Sequence, residues 1–274
     1  MKIAFYFLLS CLALQSICSA QNKYSSPKEF WNDVSPTFGP AKIDLFPNAT
    51  IEIPKGYLFL GKKDSKKFAA FTENISNDGE VVIMPQTGEW FATFNYEDSG
   101  YIKEEKIDSE SLFKSMKDGE PENNRERSRL GYPKLYLQDW FMKPSYNPKS
   151  NNLEWAFLIK DEEGDYVVNY DSRILGRTGY IQATLVMDPS KKSAVPAFQN
   201  VLDNLEFKAG SRYAEWKPGD KVAKYGMAAL ITGGAIAAAA KTGILAKFWK
   251  LIVAGVVAVF AAIGKFFKKL SGKE

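Results

Sequence analysis

The chain of 274 residues contains no histidine and only two cysteines, Cys11 and Cys18, both close to its N-terminus. If the first twenty residues are removed, the remaining chain has no thiol. It then offers no disulfide, no cysteine nucleophile and no thiolate metal ligand. The lack of histidine also excludes histidine-assisted serine or cysteine catalysis and the usual zinc sites. Chemistry is left to carboxylates, Lys, Arg, Tyr and hydroxyl groups, and we expect no cofactor and no metal.

Residues 1–20 have the features of a secretory signal peptide. Lys2 supplies the positive start, an apolar run follows over 3–14, and Cys18 and Ala20 place small side chains at −3 and −1. The run is shorter than the about 20 residues of a membrane helix, which disfavours a retained N-terminal anchor. A lipoprotein acylated at Cys18 is the other alternative, disfavoured by the bulky Ile17 before it. The sequence therefore predicts cleavage after Ala20.

A second apolar segment, residues 244–264, predicts a transmembrane helix. Its 21 residues would form a helix of about 31 Å, which matches the hydrocarbon core of a bilayer. Lys247 and Lys250 lie in its first two turns, where their stems reach the headgroups. The basic tail 265–274 follows, and such a cluster marks the cytoplasmic side. A buried or surface-lying helix is the alternative, but the apolar run has no polar face for water.

These two segments predict a single-pass protein of the cytoplasmic membrane, with its main domain extracytoplasmic and its C-terminus cytoplasmic. Residues 211–243 are expected to form an Ala/Gly-rich juxtamembrane region that packs on the anchor or enters the membrane. The predicted partner is the lipid bilayer, through the C-terminal helix. Small side chains would also allow this helix to pair with another membrane or envelope protein: Ala254, Ala258 and Ala262.

The net charge of +4 is unevenly distributed along the chain. Residues 221–274 contain nine Lys and one Glu, and setting aside this +8 and Lys2 leaves a net charge of −5 on residues 21–220. The body therefore lacks the basic face that nucleic acid requires, and no nucleic acid partner is expected. The lysines near the anchor suit anionic lipid headgroups.

Residues 39–210 are long enough for one extracytoplasmic domain with its own core, after a polar lead-in over 21–38 with a helical turn near Phe30. Alternating apolar and polar side chains predict a sheet with one wet face. The pattern indicates an α+β domain, mainly antiparallel β-sheet with a few packing helices. Strands are predicted at 42–46, 50–53, 57–60, 81–84, 90–96, 134–142, 153–160, 166–174 and 180–187.

Three helices are predicted, at 65–73, 108–117 and 190–205. The second begins at acidic residues suited to a helix N-terminus and is expected to end at Gly119-Glu120-Pro121. The third places its apolar side chains on one face, so we expect it to pack on the sheet.

Three arginines, Arg125, Arg127 and Arg129, alternate within one short segment. In an extended conformation they would share one face, from which they could bind a phosphate or carboxylate. The neighbouring Glu122 and Glu126 indicate an ordinary surface ion-pair segment as the alternative.

A second pair of arginines, Arg173 and Arg177, lies beside Gly176 and Gly179. Glycines at this spacing are typical of a bend between strands. Five of the six arginines thus fall in two segments. We expect an anion-binding pocket if these segments meet in the fold.

Alternating acidic residues at Asp161, Glu163 and Asp165 have the spacing of oxygen ligands around calcium. No bidentate Glu follows at the spacing that a calcium loop requires. The segment is therefore interpreted as the solvated tip of a β-hairpin.

A carboxylate set at Asp98, Glu104 and Glu105 is a candidate for glycosidase-type acid–base chemistry, with solvated turn residues as the alternative. Several aromatic residues suit either a sugar or peptide platform or, as is more common, a core. They are Trp90, Phe94, Trp140, Tyr146, Trp155 and Tyr170.

An ordered series of fragments over about residues 39–270 resembles a bacterial family. Among them are Asp98-Ser99-Gly100-Tyr101, Leu153-Glu154-Trp155-Ala156 and Lys221-Val222-Ala223-Lys224-Tyr225-Gly226. The family is domain of unknown function 2167, described as predicted membrane-anchored proteins. The resemblance implies a signal peptide, an extracytoplasmic domain and a C-terminal anchor. It implies no activity, substrate or catalytic residue.

Three functions are compatible with these features, and the first is favoured. It is a non-catalytic binding or scaffolding module of the envelope. The second is a carboxylate-based hydrolase or transferase whose arginines hold an anionic envelope substrate. The third is a sensor or assembly subunit of a membrane complex.

Overall fold

The computed structural model describes residues 24–232, which contain eleven strands, five α-helices and one 3-10 turn. The helices are α1 (Pro27–Asp33), α2 (Lys62–Phe71), α3 (Ser109–Arg129), α4 (Ala194–Asp203) and α5 (Met227–Ile231). The strands are β1 (Thr37–Phe38), β2 (Ala41–Phe46), β3 (Ala49–Ile53), β4 (Tyr57–Leu60), β5 (Val81–Pro85), β6 (Trp90–Glu97), β7 (Leu135–Asn147), β8 (Asn152–Asp161), β9 (Tyr166–Leu175), β10 (Tyr180–Met187) and β11 (Leu205–Phe207).

The strands form two antiparallel sheets. The larger has eight strands in the order β1-β4-β5-β6-β10-β9-β8-β7, and the smaller has three in the order β11-β3-β2. The predicted α+β class with a mainly antiparallel sheet is confirmed. All nine predicted strands are present, and β7 extends five residues beyond its predicted end.

The main core lies between one face of the larger sheet, the smaller sheet and α4. Along β10, alternate residues Ile181, Ala183 and Leu185 are fully buried in this core. Helix α4 contributes Phe198, whose ring centroid lies 6.3 Å from that of Phe94 and 6.0 Å from that of Tyr170. The predicted packing of this helix on the sheet is confirmed.

The described helices cover the opposite face of the larger sheet near its two ends. Helices α1 and α2 pack over the β4 end through Phe30 and Phe68. Helices α3 and α5 pack near the other end through Leu112 and Met227, around the buried Trp155. The polar face of β6, β10 and β9 therefore lies between two groups of helices.

The lead-in predicted over 21–38 folds onto this sheet in its described part. Ser26 caps α1 by accepting a hydrogen bond from the Glu29 N–H, and Pro27 occupies the first turn. Phe30 is fully buried, and β1 pairs with β4. The helix is longer than the single expected turn because the cap and the buried aromatic ring both stabilise it.

Helix α3 continues through Pro121, and the prediction that it ends at Gly119-Glu120-Pro121 is wrong. A proline inside a helix costs about 3 kcal/mol, partly because it removes one backbone donor. Hydrogen bonds from α3 to the edge strand β7 lie on both sides of it: Lys117 donates to the Leu137 carbonyl, and Asn124 bonds Leu135. These tertiary contacts offset the local penalty.

No helix within residues 24–232 is both long enough and apolar enough to cross a membrane. The predicted signal peptide 1–20, transmembrane helix 244–264 and tail 265–274 lie outside the described residues. Of the juxtamembrane region 211–243, the described part ends at 232 and includes the 3-10 turn Tyr213–Glu215 and α5.

Candidate functional site

A cleft lies over the uncovered middle of the larger sheet, between α2 and α3. It comprises two adjoining cavities of about 260 Å³ and about 290 Å³, here named the α2 cavity and the α3 cavity. Asn169 and Asp171 line both, so the two cavities share part of their floor. Side chains alternate along a strand, and Arg173 therefore joins them on the same face of β9. The next strand, β10, adds Gln182 and Thr184.

Buried polar side chains are concentrated around this cleft. Eight polar or charged residues are buried in the described part of the chain. Five of them line the cleft, which is unusual because Asp, Glu and Arg are rarely buried without a partner or a task. The five are Glu80, Asn124, Arg127, Asp171 and Arg173.

Asp171 and Arg173 form an ion pair at the centre of the floor. The Arg173 Nη1 donates to Asp171 Oδ1 over 3.1 Å, and the Thr184 hydroxyl donates to the same oxygen over 2.7 Å. The guanidinium of Arg173 lies over the ring of Trp155, 4.6 Å from its centroid, in a cation–π contact. Arg173 is only 6% exposed, and its position is set by these contacts.

Two N–H groups of side chains that line the α3 cavity are buried and have no acceptor within residues 24–232. They are the Nε of Arg173 and the indole Nε1 of Trp155. A buried donor without a partner costs about 1–3 kcal/mol. Two such groups at one cavity therefore mark it as a candidate place for a ligand with hydrogen-bond acceptors.

Arg127 reaches the same cavity from α3. It donates to the carbonyl oxygens of Pro133 and Glu73, and it forms no ion pair with a described carboxylate. Burial lowers the pKa of its guanidinium, while the Glu73 carboxylate and Tyr132 act in the opposite direction. Arg127 is thus a buried cation whose hydrogen bonds go to carbonyl oxygens and whose burial is partly offset by the Glu73 carboxylate.

The two arginine segments meet through one residue each, Arg127 and Arg173. Arg125 and Arg129 instead form exposed ion pairs with Glu122 and Glu126 on α3. The expected extended conformation is wrong, because successive residues of a helix are rotated by about 100° and alternate positions therefore point to different sides. The surface ion-pair interpretation is confirmed for these two.

Arg177 lies away from the cleft lining, in the turn between β9 and β10. It forms a bidentate ion pair with Asp220, with two N–O distances of 2.7 Å. Its role in the structure is to join this turn to the segment that leads to α5. Anion binding at the five predicted arginines stays a prediction.

Glu80 is the buried acid of the α2 cavity. Burial raises the pKa of its carboxyl to about 7, and hydrogen bonds from Asn77 only partly oppose the shift. The carboxyl can therefore hold or release a proton near neutral pH. Sequence reasoning missed Asn169, Asp171, Gln182 and Thr184, because alternating polar residues on a strand indicate an ordinary wet face. It also missed Glu80, which directly precedes β5 and has no motif around it.

The acidic residues singled out in the sequence have structural contacts. Asp98 pairs with Lys221, Glu104 accepts a hydrogen bond from Tyr146, and Glu105 accepts one from the Ala228 N–H. Each of the three forms a different contact, which favours ordinary turn residues over a paired acid–base site. In the part of the chain that the structure describes, no group of acidic residues is arranged to hold a metal ion.

The segment around Asp161 is the hairpin tip between β8 and β9, as predicted. The Asp161 Oδ1 accepts hydrogen bonds from the backbone N–H groups of Glu163, Gly164 and Asp165. This carboxylate closes the turn. The core interpretation of the aromatic residues is confirmed for those that are buried, namely Trp90, Phe94, Trp155 and Tyr170.

Solved structures of other proteins resemble this chain only to a limited degree. The solution structure of cyanobacterial PsbP (CyanoP) from Synechocystis sp. PCC 6803 is 11% identical, with 64% of this chain and 92% of that chain covered and a TM-score of 0.35. A crystal structure from Bacteroides thetaiotaomicron VPI-5482 is also 11% identical, with 62% of this chain and 49% of that chain covered and a TM-score of 0.33. Neither likeness bears on function. No curated protein matches the sequence.

A family model matches residues 37–264, which include every strand, α2 to α5 and both arginine segments. The match confirms the resemblance seen in the sequence fragments. It assigns no activity to the cleft. The chain belongs to the family described as protein of unknown function (DUF2167).

Proposed function

We propose that this protein is a membrane-anchored binding module of the bacterial envelope, which holds a ligand in the cleft without catalysing a reaction. The observation that carries the proposal is the concentration of buried polar side chains around two adjoining cavities. Specific small-molecule sites combine an enclosed cavity with a few fixed polar groups. The location follows from the signal and anchor segments expected at 1–20 and 244–264.

The hydrogen bonds of the cleft favour binding over acid–base catalysis. Asp171 is held by Arg173 and Thr184, so its carboxylate is fixed in position. Glu80, which lines the α2 cavity together with Asp171, accepts a hydrogen bond from Asn77. Groups held in this way are suited to orient a ligand.

Native mass spectrometry of the full-length protein, extracted from its own membranes in mild detergent, tests the binding function. Asn169 lines both cavities, so Asn169→Trp fills the space between them with an indole ring. Glu206 is exposed on β11, and Glu206→Trp adds the same group far from the cleft. A bound ligand is expected on the wild type and on Glu206→Trp, and is expected to be absent from Asn169→Trp.

Equal ligand retention by all three proteins would show that the cleft is not the site. Turnover of a glycan or peptide substrate that stops in Asp171→Asn or Glu80→Gln would replace the binding function by an enzymatic one. The location is tested separately. Carbonate washing is expected to leave the protein in the membrane, and a reporter after Glu274 is expected on the cytoplasmic side; release of the protein, or an external reporter, contradicts the anchor.

A sensor is a second candidate, because of the position of α5. Its last residue, Ile231, lines the α3 cavity, and the chain continues from there towards the predicted anchor. Ligand occupancy would then act directly on the segment entering the membrane. Cross-linking between Ala258 and a neighbouring membrane protein that changes with ligand supports this candidate, and capture of lipid alone contradicts it.

A further inference from the structure

We infer that the α3 cavity binds an amphipathic anion, a carboxylate or phosphate joined to an apolar group, with the anion at Arg127 and Arg173. The inference rests on the proposed binding function and adds the chemistry of the ligand. It uses three independent features of the cavity: its charge, its unsatisfied donors and its apolar wall.

The lining of the α3 cavity carries two arginines and two carboxylates, and Arg127 is the arginine that forms no ion pair with a described carboxylate. Asp171 offsets Arg173, and Lys117 pairs with Glu120 over 3.1 Å. Arg127 has carbonyl partners and no ion pair with a described carboxylate. A buried cation is costly unless an opposite charge compensates it, and one bound anion supplies that charge.

The two N–H groups without partners favour a ligand that brings hydrogen-bond acceptors into the α3 cavity. Arg173 Nε and Trp155 Nε1 are buried and have no hydrogen-bond partner in the part of the chain that the structure describes. Carboxylate and phosphate oxygens accept several hydrogen bonds at once, and guanidinium groups bind them most strongly among side chains. A neutral alcohol could accept hydrogen bonds from these donors but would leave the charge of Arg127 without a counter-charge.

The rest of the wall is apolar and the cavity is small. Trp155, Phe157 and Ile159 of β8 line it, together with Met116 and Leu137. The volume of about 290 Å³ is near the lower end of the range of about 300–1,000 Å³ found for small-molecule sites. These features fit a short or partly inserted amphipathic acid, and such an acid can come from the solution or from the bilayer.

Calorimetric titration of the full-length protein in lipid nanodiscs tests the solution source. The probe is 3-phenylpropionate, and its neutral counterpart is 3-phenylpropan-1-ol. We expect the acid to bind at least tenfold more tightly than the alcohol. Arg127→Gln and Arg173→Gln are each expected to weaken acid binding at least tenfold. Arg129→Gln, on the same helix in an exposed ion pair, is expected to leave it unchanged.

Nanodiscs that contain diazirine-labelled palmitate, or the corresponding labelled alcohol, test the bilayer source. Adducts of the acid on residues lining the α3 cavity, with few from the alcohol, support a lipid-derived ligand. Preference for the acid in either experiment supports the inference and identifies its source. The acid-to-alcohol comparison uses the wild type, so it decides the question even if the arginine variants fail to fold.

Equal binding of acid and alcohol, or binding of neither in both experiments, overturns the inference. If native mass spectrometry still shows a ligand that Asn169→Trp loses, the binding function stands and only the anion assignment fails. If that ligand is also absent, the binding function fails with it.

Discussion

The side-chain amide of Asn124 and the backbone of Leu135 exchange two hydrogen bonds, with donor–acceptor distances of 2.8 Å and 2.9 Å. Asn124 belongs to α3 and Leu135 begins β7, the last strand of the larger sheet. The amide thus bonds the strand edge as a residue of a neighbouring strand would. An unpaired edge invites association with another chain, and α3 protects this part of it.

Asn124→Ala is expected to lower the free energy of unfolding by about 2 kcal/mol, because it leaves a backbone N–H and C=O of Leu135 without partners. Urea unfolding followed by tryptophan fluorescence measures the effect. Asn123→Ala, at the exposed neighbouring position, is expected to change stability by less than about 0.5 kcal/mol. Equal effects of the two substitutions would show that the Asn124 pairing does not stabilise the edge.

The stability contribution of Glu80 is expected to depend on pH. Its pKa in the folded protein is about 7, against an ordinary value of 4.5, so the folded state binds the proton more tightly than the unfolded state. Stability is therefore lost as pH rises from about 4.5 through 7.

Glu80→Gln removes this loss, because glutamine cannot ionise. At pH 8 the variant is expected to be more stable than the wild type by on the order of 2–3 kcal/mol, and at pH 4.5 the two should be similar. Urea unfolding at both pH values measures the difference. Glu89→Gln, an exposed carboxylate near the end of β5, is the control. A pH-independent effect of Glu80→Gln contradicts the assignment.

Gly179 is required by close packing at the start of β10. A Cβ at this position would collide with the backbone carbonyl of Glu97, which cannot move without disturbing the β6–β10 pairing. Gly179→Ala is expected to destabilise the protein by about 3 kcal/mol or more. Gly61→Ala is the matched control, since the nearest atom to its added Cβ is 3.8 Å away. Thermal unfolding compares them, and a similar loss in both argues against the steric explanation.

Phe198 joins α4 to the main core. It is fully buried and lies among the rings of Trp90, Phe94 and Tyr170. Phe198→Ala is expected to cost about 3–5 kcal/mol through lost burial and the cavity it leaves. Asn200→Ala, exposed on the same helix, is expected to have little effect in the same urea titration. A loss below about 1 kcal/mol for Phe198→Ala would mean that α4 contributes little to the core.

The strands were predictable because each depends on a local pattern. Tyr57–Leu60 and Tyr180–Met187 match the predicted bounds, and the hairpin tip at Asp161 was identified from its turn residues. Local signals failed at Pro121, where the helix is held by hydrogen bonds to a strand that follows it in the chain. A prediction made from a short stretch of sequence cannot include a contact with residues outside that stretch.

The candidate site was predictable only in part. Arg127 and Arg173 were selected because arginines are few and clustered, and both line the α3 cavity. Asn169 and Asp171 instead alternate along their strand in the pattern that is typical of any solvent-facing strand. Their enclosure comes from α2 and α3, whose positions depend on packing at the two ends of the sheet.

The sequence alone determined the α+β class, nearly all strand positions and the uneven charge, since these follow from composition and short-range periodicity. The membrane topology stays a prediction. The tertiary structure decided which polar face is enclosed, which arginines are buried and which helix protects the sheet edge. Those outcomes depend on contacts between residues far apart in the chain, such as Arg127 with the Glu73 carbonyl. Such contacts stabilise the protein only after the separate elements have packed.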